Sequence, residues 1–463
     1  MDRRQPNARL QALINEAGFS NKGLARRVVD QGKQRGECAL KYDHSSVIRW
    51  LKGQRPRPPV PQFIAEVFSA RLGRPVSIED LGMASSPVPG DVGLRLPHTP
   101  AIAADAVSVL SKSDLEQRRF LIEADFDLSA YSSAALRWLL APRTSLPPGQ
   151  GPRRIGMAEV QEIREATQAF RVLDNRLGGG RIRSTVVEYL HSDITPQLHH
   201  ARCADQVRRE LFSAAAELTH LAGWQAYDLE LQGLAQRYMV QALAMASFAG
   251  DDALGGEILA AMSHQAVYVA KPDDAVDIAH AAQTAARRAG VAALLTECLV
   301  LEAHAHASLQ QADTRACSQA LHRAEAAFGQ AGSADRPMWL SYFDHAYFAA
   351  RIAHCFRALG QGAQMVRYAK QSLNMDQQYV RGKAFNTAIL ALGYAMSGEP
   401  TQACHHGREA VDLAAGLNSA RVVTYMRDLL RNLEPYSGAA EVAELKRYVA
   451  HRLPRAAGRA GSR

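Results

Sequence analysis

Short side chains return at regular intervals through the later part of this 463-residue chain, and that pattern limits the fold more than any other feature. Leu390, Ala391 and Tyr394 are followed by Gly398, and then by Ala403, Gly407 and Ala410. A large–small–x–x–aromatic run, a glycine stop, and small residues four and three apart describe two antiparallel helices. Only short side chains let such helices approach closely. The anchor recurs at Ala235 with Ala242, Ala275 with Ala279 and Ala282, Ala316 with Ala320, and Met365 with Ala369 and Ser372. Its spacings of 40, 41, 49 and 38 residues exceed the roughly 34 of an ideal helix-pair unit, so longer helices are expected.

The expected fold is all-α: an N-terminal helix-turn-helix domain followed by a tetratricopeptide-like helical-repeat solenoid, in which each pair buries its apolar face against the next. The expected domains are residues 1–83, a linker and intermediate segment at 84–156, the repeat domain at 157–453, and a basic, disordered tail at 454–463. Apolar residues make up 47% of the chain, enough for a sizeable core. No apolar run reaches the roughly 20 residues that span a bilayer, and no signal peptide is evident. Six scattered cysteines without paired spacing suit a reducing compartment. A cytoplasmic, nucleoid-associated protein with no membrane partner is expected.

Charge is placed unevenly. Residues 1–83 carry 15 Lys and Arg against 8 Asp and Glu, a balance of +7, whereas the whole chain is +8. A basic module on a near-neutral body is the footprint of a segment that meets a polyanion. In that module Leu10, Leu13, Ile14 and Ala17 mark a first helix that Gly18 stops. Ser20 caps a second over 20–28, and Asp43 caps a third that ends at Gly53. The prolines of 56–61 enforce an extended turn before a fourth helix at 62–72. On the third helix Val47, Trp50 and Leu51 face inward, while Ser45, Arg49 and Lys52 share the opposite face beside Ser46. Short hydroxyls permit close approach to a major groove, and arginine can bond a guanine edge in bidentate fashion. Ser20 and Asn21 suit a phosphate at a helix N-terminus, and Arg55 and Arg57 suit two more. Double-stranded DNA is the expected partner, bound by a homodimer.

Residues 7–82 resemble the lambda-repressor/Xre type of helix-turn-helix through Asn21, Gly23, Leu24, Ala25, Arg26 and Arg27, then Ser45 to Arg49, Trp50, Lys52 and Gly53. They depart from it in the 21 residues between Ala25 and Val47, about a dozen more than a tight turn uses. The body resembles actinomycete regulators that join such a module to a tetratricopeptide-like domain, through residues 170–190, 221–228 and 233–243. That resemblance implies a transcriptional regulator of development or secondary metabolism. In module order alone it also resembles Gram-positive peptide-pheromone receptors. The alternative reading is an interaction scaffold that does not bind DNA.

If the repeat register holds, the first helix of each pair turns His220, Trp224, Tyr227, Glu257, His264, Tyr347, His354, Arg357 and Phe385 into a concave groove. Aromatic surface with a few polar groups suits a peptide, small-molecule or protein effector. The same nine residues also suit plain interhelical packing. The glycines 178–180 lack the GK[ST] ending of a phosphate loop and read as a flexible interhelical turn, with Arg181 and Arg183 solvated. His304 and His306 fall on different sides of a helix, and His199/His200 and His405/His406 are adjacent, which argues against metal ligation. No catalytic constellation, metal site or cofactor is expected.

Overall fold

The computed structural model describes residues 6–35, 37, 40–57, 59–83, 88–140, 146, 149–331 and 336–453. The tail at 454–463 and Cys38 lie outside them. The described residues form an all-α architecture with helical repeats. Two compact units divide the chain: 1–92 with 108–124, and 93–107 with 125–463. The expected linker at 84–156 is therefore shared between the units and contains three helices among its described residues.

In the first unit α1 (Ala8–Ala17), α2 (Asn21–Gln34), α3 (His44–Leu51) and α4 (Val60–Leu72) enclose one core. Leu10, Leu24, Val28, Val47, Trp50, Ile64 and Phe68 fill it. Asn7, Ser20 and Asp43 cap the first three helices through their side chains. Gly18 adopts φ +64° and ends α1, a conformation that costs a side-chain-bearing residue energy. Two boundaries differ from expectation. Helix α2 continues to Gln34, because Gly32 lets Leu40 press on its backbone side and the Gly32 carbonyl accepts from Glu37 N at 2.8 Å. Helix α4 begins at Val60, with Pro61 in the first turn where a missing N–H costs nothing. The α2–α3 connection thus shrinks to positions 35–43. Within it Leu40 and Tyr42 lie against the core, and the Tyr42 and Trp50 rings are 5.3 Å apart.

Helix α5 (Pro100–Leu115) falls across the division, and α6 (Arg119–Ile122) belongs to the first unit. The second unit continues with α7 (Leu128–Leu140) and two short strands, β1 (Gly149–Gln150) and β2 (Arg153–Arg154). Then come α8 (Met157–Leu177), α9 (Gly179–Tyr189), a π-helical turn, α10 (Thr195–His200) and β3 (Ala201–Cys203). β3 lies between the other two, antiparallel to β1 and parallel to β2.

The repeats follow as antiparallel pairs: α11 (Asp205–Asp228) with α12 (Gln232–Ala249), α13 (Asp252–Tyr268) with α14 (Pro272–Ala289), and α15 (Ala292–Ala307) with α16 (Thr314–Gln330). Next are α17 (His345–Ala358) with α18 (Gly362–Ser372), and α19 (Val380–Met396) with α20 (Pro400–Ala415). Helices α21 (Ala420–Asn432) and α22 (Ala440–Arg452) end the array. Ala235, Ala242, Ala275, Ala279, Ala282, Met365, Ala369, Ser372, Ala403, Gly407 and Ala410 all sit buried on second helices, as the spacing predicts. The third anchor is one residue late. Ala316 is half-buried, and Cys317, Ala320 and Ala324 carry the packing.

The array closes on itself. The loop before α21 returns to the turn between α8 and α9, where Gly180 N donates to Asn418 O and Asn418 N donates to Leu177 O, both at 2.9 Å. A Cβ on Gly180 would stand 2.6 Å from the Asn418 side chain, and Gly178 holds φ +83° against the same residue. The glycine run is therefore a clamped seam and not the flexible turn expected. Arg181 is exposed and Arg183 is half-buried, so only the first is solvated as expected.

Candidate DNA-facing helix and candidate ligand cavity

Helix α3 is fixed from beneath by Val47 and Trp50, both buried. Its outer side carries Ser45, Ile48 and Arg49, followed by Lys52, Arg55 and Arg57, all exposed. Ser20 is exposed and accepts from Gly23 N at 3.1 Å, and Asn21 beside it is half-buried. Ser46 needs correction. It is buried, its backbone N–H donates to Asp43 Oδ1 at 3.0 Å, and its hydroxyl closes the reciprocal cap. A hydroxyl committed to a cap is withheld from a partner. It instead positions Arg49, whose Nη2 donates to Ser46 Oγ at 3.1 Å. Hydrogen bonds from Ser45, then from the Ser46 backbone and hydroxyl, hold the Asp43 carboxyl down at about 2. Ile48, 37% exposed, escaped the sequence reading, because an isoleucine among core residues reads as core.

The concave side of the repeat array encloses a cavity of about 570 Å³, the size of a small-molecule site. His220, Trp224, Glu257, His264, Tyr347, His354 and Phe385 all line it. Two of the nine expected groove residues do not. Tyr227 is fully buried behind it, its ring 5.3 Å from Trp224 and under the Arg421 guanidinium at 4.2 Å. Arg357 is drawn aside by Asp428 at 2.6 Å and covers the Tyr425 ring.

One wall is acidic. Tyr342 Oη lies 2.8 Å from both Glu257 Oε1 and Glu297 Oε2 and has one proton to give to one of them, and Tyr347 Oη donates to Glu297 Oε1 at 2.9 Å. Burial, and the proximity of the other carboxylate, push Glu257 well above the ordinary range; burial raises Glu297 as well. Two such groups cannot both ionise cheaply.

The lining is also rich in guanidinium groups. Arg381 Nη1 lies 2.7 Å from Asp174 Oδ2 and 3.6 Å from Asp228 Oδ2, and Arg421 stacks on Tyr227 and Phe385. Arg351 differs from both. It is 5% exposed, and its Nε and Nη2 are buried without a partner. Burial and these arginines hold His264 and His354 well below their ordinary value. Burial, helped by Arg171, takes His220 down to about 3. The sequence reading missed Glu297, Arg351, Arg381 and Arg421. Glu297 follows Glu257 by 40 positions, one repeat period, and Arg351 precedes His354 by three on one helix face; both signals were legible.

Among the described residues, no helix is long and apolar enough to cross a membrane. The adjacency argument against His405 and His406 is too strict. One ring nitrogen of each and a Glu409 carboxylate oxygen lie within 4.8 Å of one another on α20, with His405 and Glu409 exposed and His406 half-buried. His304 is desolvated, its ring 5.6 Å from His354, while His306 turns toward Glu302 at 3.8 Å.

Residues 10–84 match the family described as the SP15 N-terminal domain, the stretch that holds most of α1 through α4. No curated protein matches the chain.

Proposed function

We propose that the chain is a DNA-binding transcriptional regulator whose helical-repeat unit receives an effector. The observation that carries the DNA reading is the outer face of α3. Ser45, Ile48, Arg49 and Lys52 stand exposed on a helix held rigid by Val47, Trp50 and the Asp43–Ser46 cap. Arginine and lysine supply base-edge and phosphate contacts, and an exposed isoleucine suits a thymine methyl. Arg55 and Arg57 extend the basic strip toward the phosphates, and the +7 balance of residues 1–83 supports the same reading. The protein acts as a homodimer in the cytoplasm, on the nucleoid, and its resemblance to actinomycete regulators supports a role in development or secondary metabolism. The cavity supports the effector part of the reading, because buried polar atoms without partners are retained where a ligand supplies them.

Salt dependence tests the DNA reading. Each lysine or arginine that neutralises a phosphate contributes about −0.9 to the slope of log affinity against log salt on duplex DNA. A slope near zero, or capture of a protein partner with no affinity for DNA, would favour the scaffold reading.

A further inference from the structure

Deepening the effector reading, we infer that the cavity is a receptor site for a small ring-bearing hydroxy acid, its carboxylate held by Arg351 and its hydroxyl by the Glu257–Glu297 pair.

Arg351 carries the argument. A guanidinium stays charged at any accessible pH, and burying a charge without hydrogen-bonded partners is costly. Every other arginine on the wall has compensation in the protein: Arg381 has Asp174, Arg421 has aromatic faces and Asp228 at 4.0 Å, and Arg171 has Glu217 at 3.9 Å. Among the described residues Arg351 has no carboxylate within 4.0 Å, although Glu297 is near enough to feel its charge; its Nε and Nη2 are buried without a hydrogen-bond partner, and its side chain lines the cavity. Two parallel N–H donors fit a planar carboxylate in bidentate fashion.

The second polar group is set by Glu257. Glu257 and Glu297 both line the same cavity and meet at the Tyr342 hydroxyl. A carboxyl group accepts a hydrogen bond when ionised and donates one when protonated. A hydroxyl satisfies both cases, whereas a second ligand carboxylate would be repelled. Trp224, Tyr347, Phe385 and Tyr425 line the same cavity and supply flat apolar surface, which suits a ring. The cavity volume of about 570 Å³ fits a compact molecule.

The test uses the full-length chain and three matched probes: 3-(4-hydroxyphenyl)propionate, its primary amide, and tyramine. Titration calorimetry should show the acid binding at least about tenfold tighter than the amide, the usual worth of one charged hydrogen-bonded contact, with tyramine weakest. Arg351→Met should remove the preference for the acid. Because Met replaces an unsatisfied charge, the ligand-free variant should melt at or above the wild-type temperature. Acid and amide binding equally, tyramine binding best, no probe binding at all, or an Arg351→Met variant that melts lower would each overturn the assignment. Acid binding without any change in DNA affinity would uphold the site and overturn only the effector reading.

Discussion

Arg381 Nη1 on α19 lies 2.7 Å from Asp174 Oδ2 on α8, and both side chains are buried. The pair joins α8, which precedes the repeats, to the first helix of the fifth repeat pair, and Asp228 completes the joint. The Asp228 carboxylate accepts from Gly179 N at 3.0 Å and from the Ser419 hydroxyl at 2.9 Å, with Arg381 and Arg421 beside it. An array of helix pairs that would otherwise stay open is thereby closed around its concave side.

Removing Asp228 should therefore be costly. Breaking a buried ion pair leaves an uncompensated charge, worth about 3–5 kcal/mol. Asp228→Ala should lose that much stability in a urea titration of the full chain, and a loss below about 1 kcal/mol would show that the closure does not depend on this joint.

The cap of α3 gives a second expectation. Asp43→Ala removes the acceptor of the Ser45 and Ser46 hydrogen bonds and should lower the thermal midpoint of the first unit by a few degrees. The Asp43 carboxyl titrates at about 2 when folded and 3.8 otherwise. Its contribution should persist above about pH 4 and fade as the pH falls toward 2. Ser46→Ala should weaken DNA binding through the orientation of Arg49. An affinity unchanged by Ser46→Ala would remove the positioning role.

Acid should destabilise the second unit through its histidines. His220, His264, His304 and His354 are held neutral well below the ordinary 6.5, chiefly by burial. The unfolded chain then binds more protons, so stability falls as the pH drops below 6.5, by up to about 1.4 kcal/mol per pH unit for each histidine. Glu217, Glu257, Glu297 and Asp174, raised by burial, oppose this until the pH reaches the ordinary carboxylate range. Melting temperatures of the His220→Phe variant between pH 6.5 and 4 should fall less steeply than those of the wild type. Identical slopes would mean that His220 is protonated in the folded state.

Much of this was legible in the sequence, and the reasons are specific. Small anchors such as Ala275, Ala279 and Ala282 sit at helix–helix contacts where only spacing matters, so periodicity alone locates them. The same register brought seven of nine groove residues to the cavity. Tyr227 and Arg357 strayed because of partners far along the chain: Arg421 stacks on one and Asp428 pairs with the other. Closure was hidden for the same reason. Nothing local to Gly178–Gly180 announces Asn418, and nothing near Asp174 announces Arg381. Ser46 was misjudged because a hydroxyl at the third position of a helix serves a cap as readily as a partner. Glu297 and Arg351 needed only the repeat period already in hand, applied to charged residues as well as small ones.

The most direct test of the central claim is selection of bound duplexes from a random DNA pool by the full-length protein, run beside Arg49→Ala. The account predicts enrichment of one two-fold symmetric sequence by the wild type. With Arg49→Ala, preference at the contacted base should relax, at a cost of about 1–3 kcal/mol. A pool that emerges unenriched from the wild-type protein, or an Arg49→Ala variant that selects the same sequence with the same preference, would contradict it.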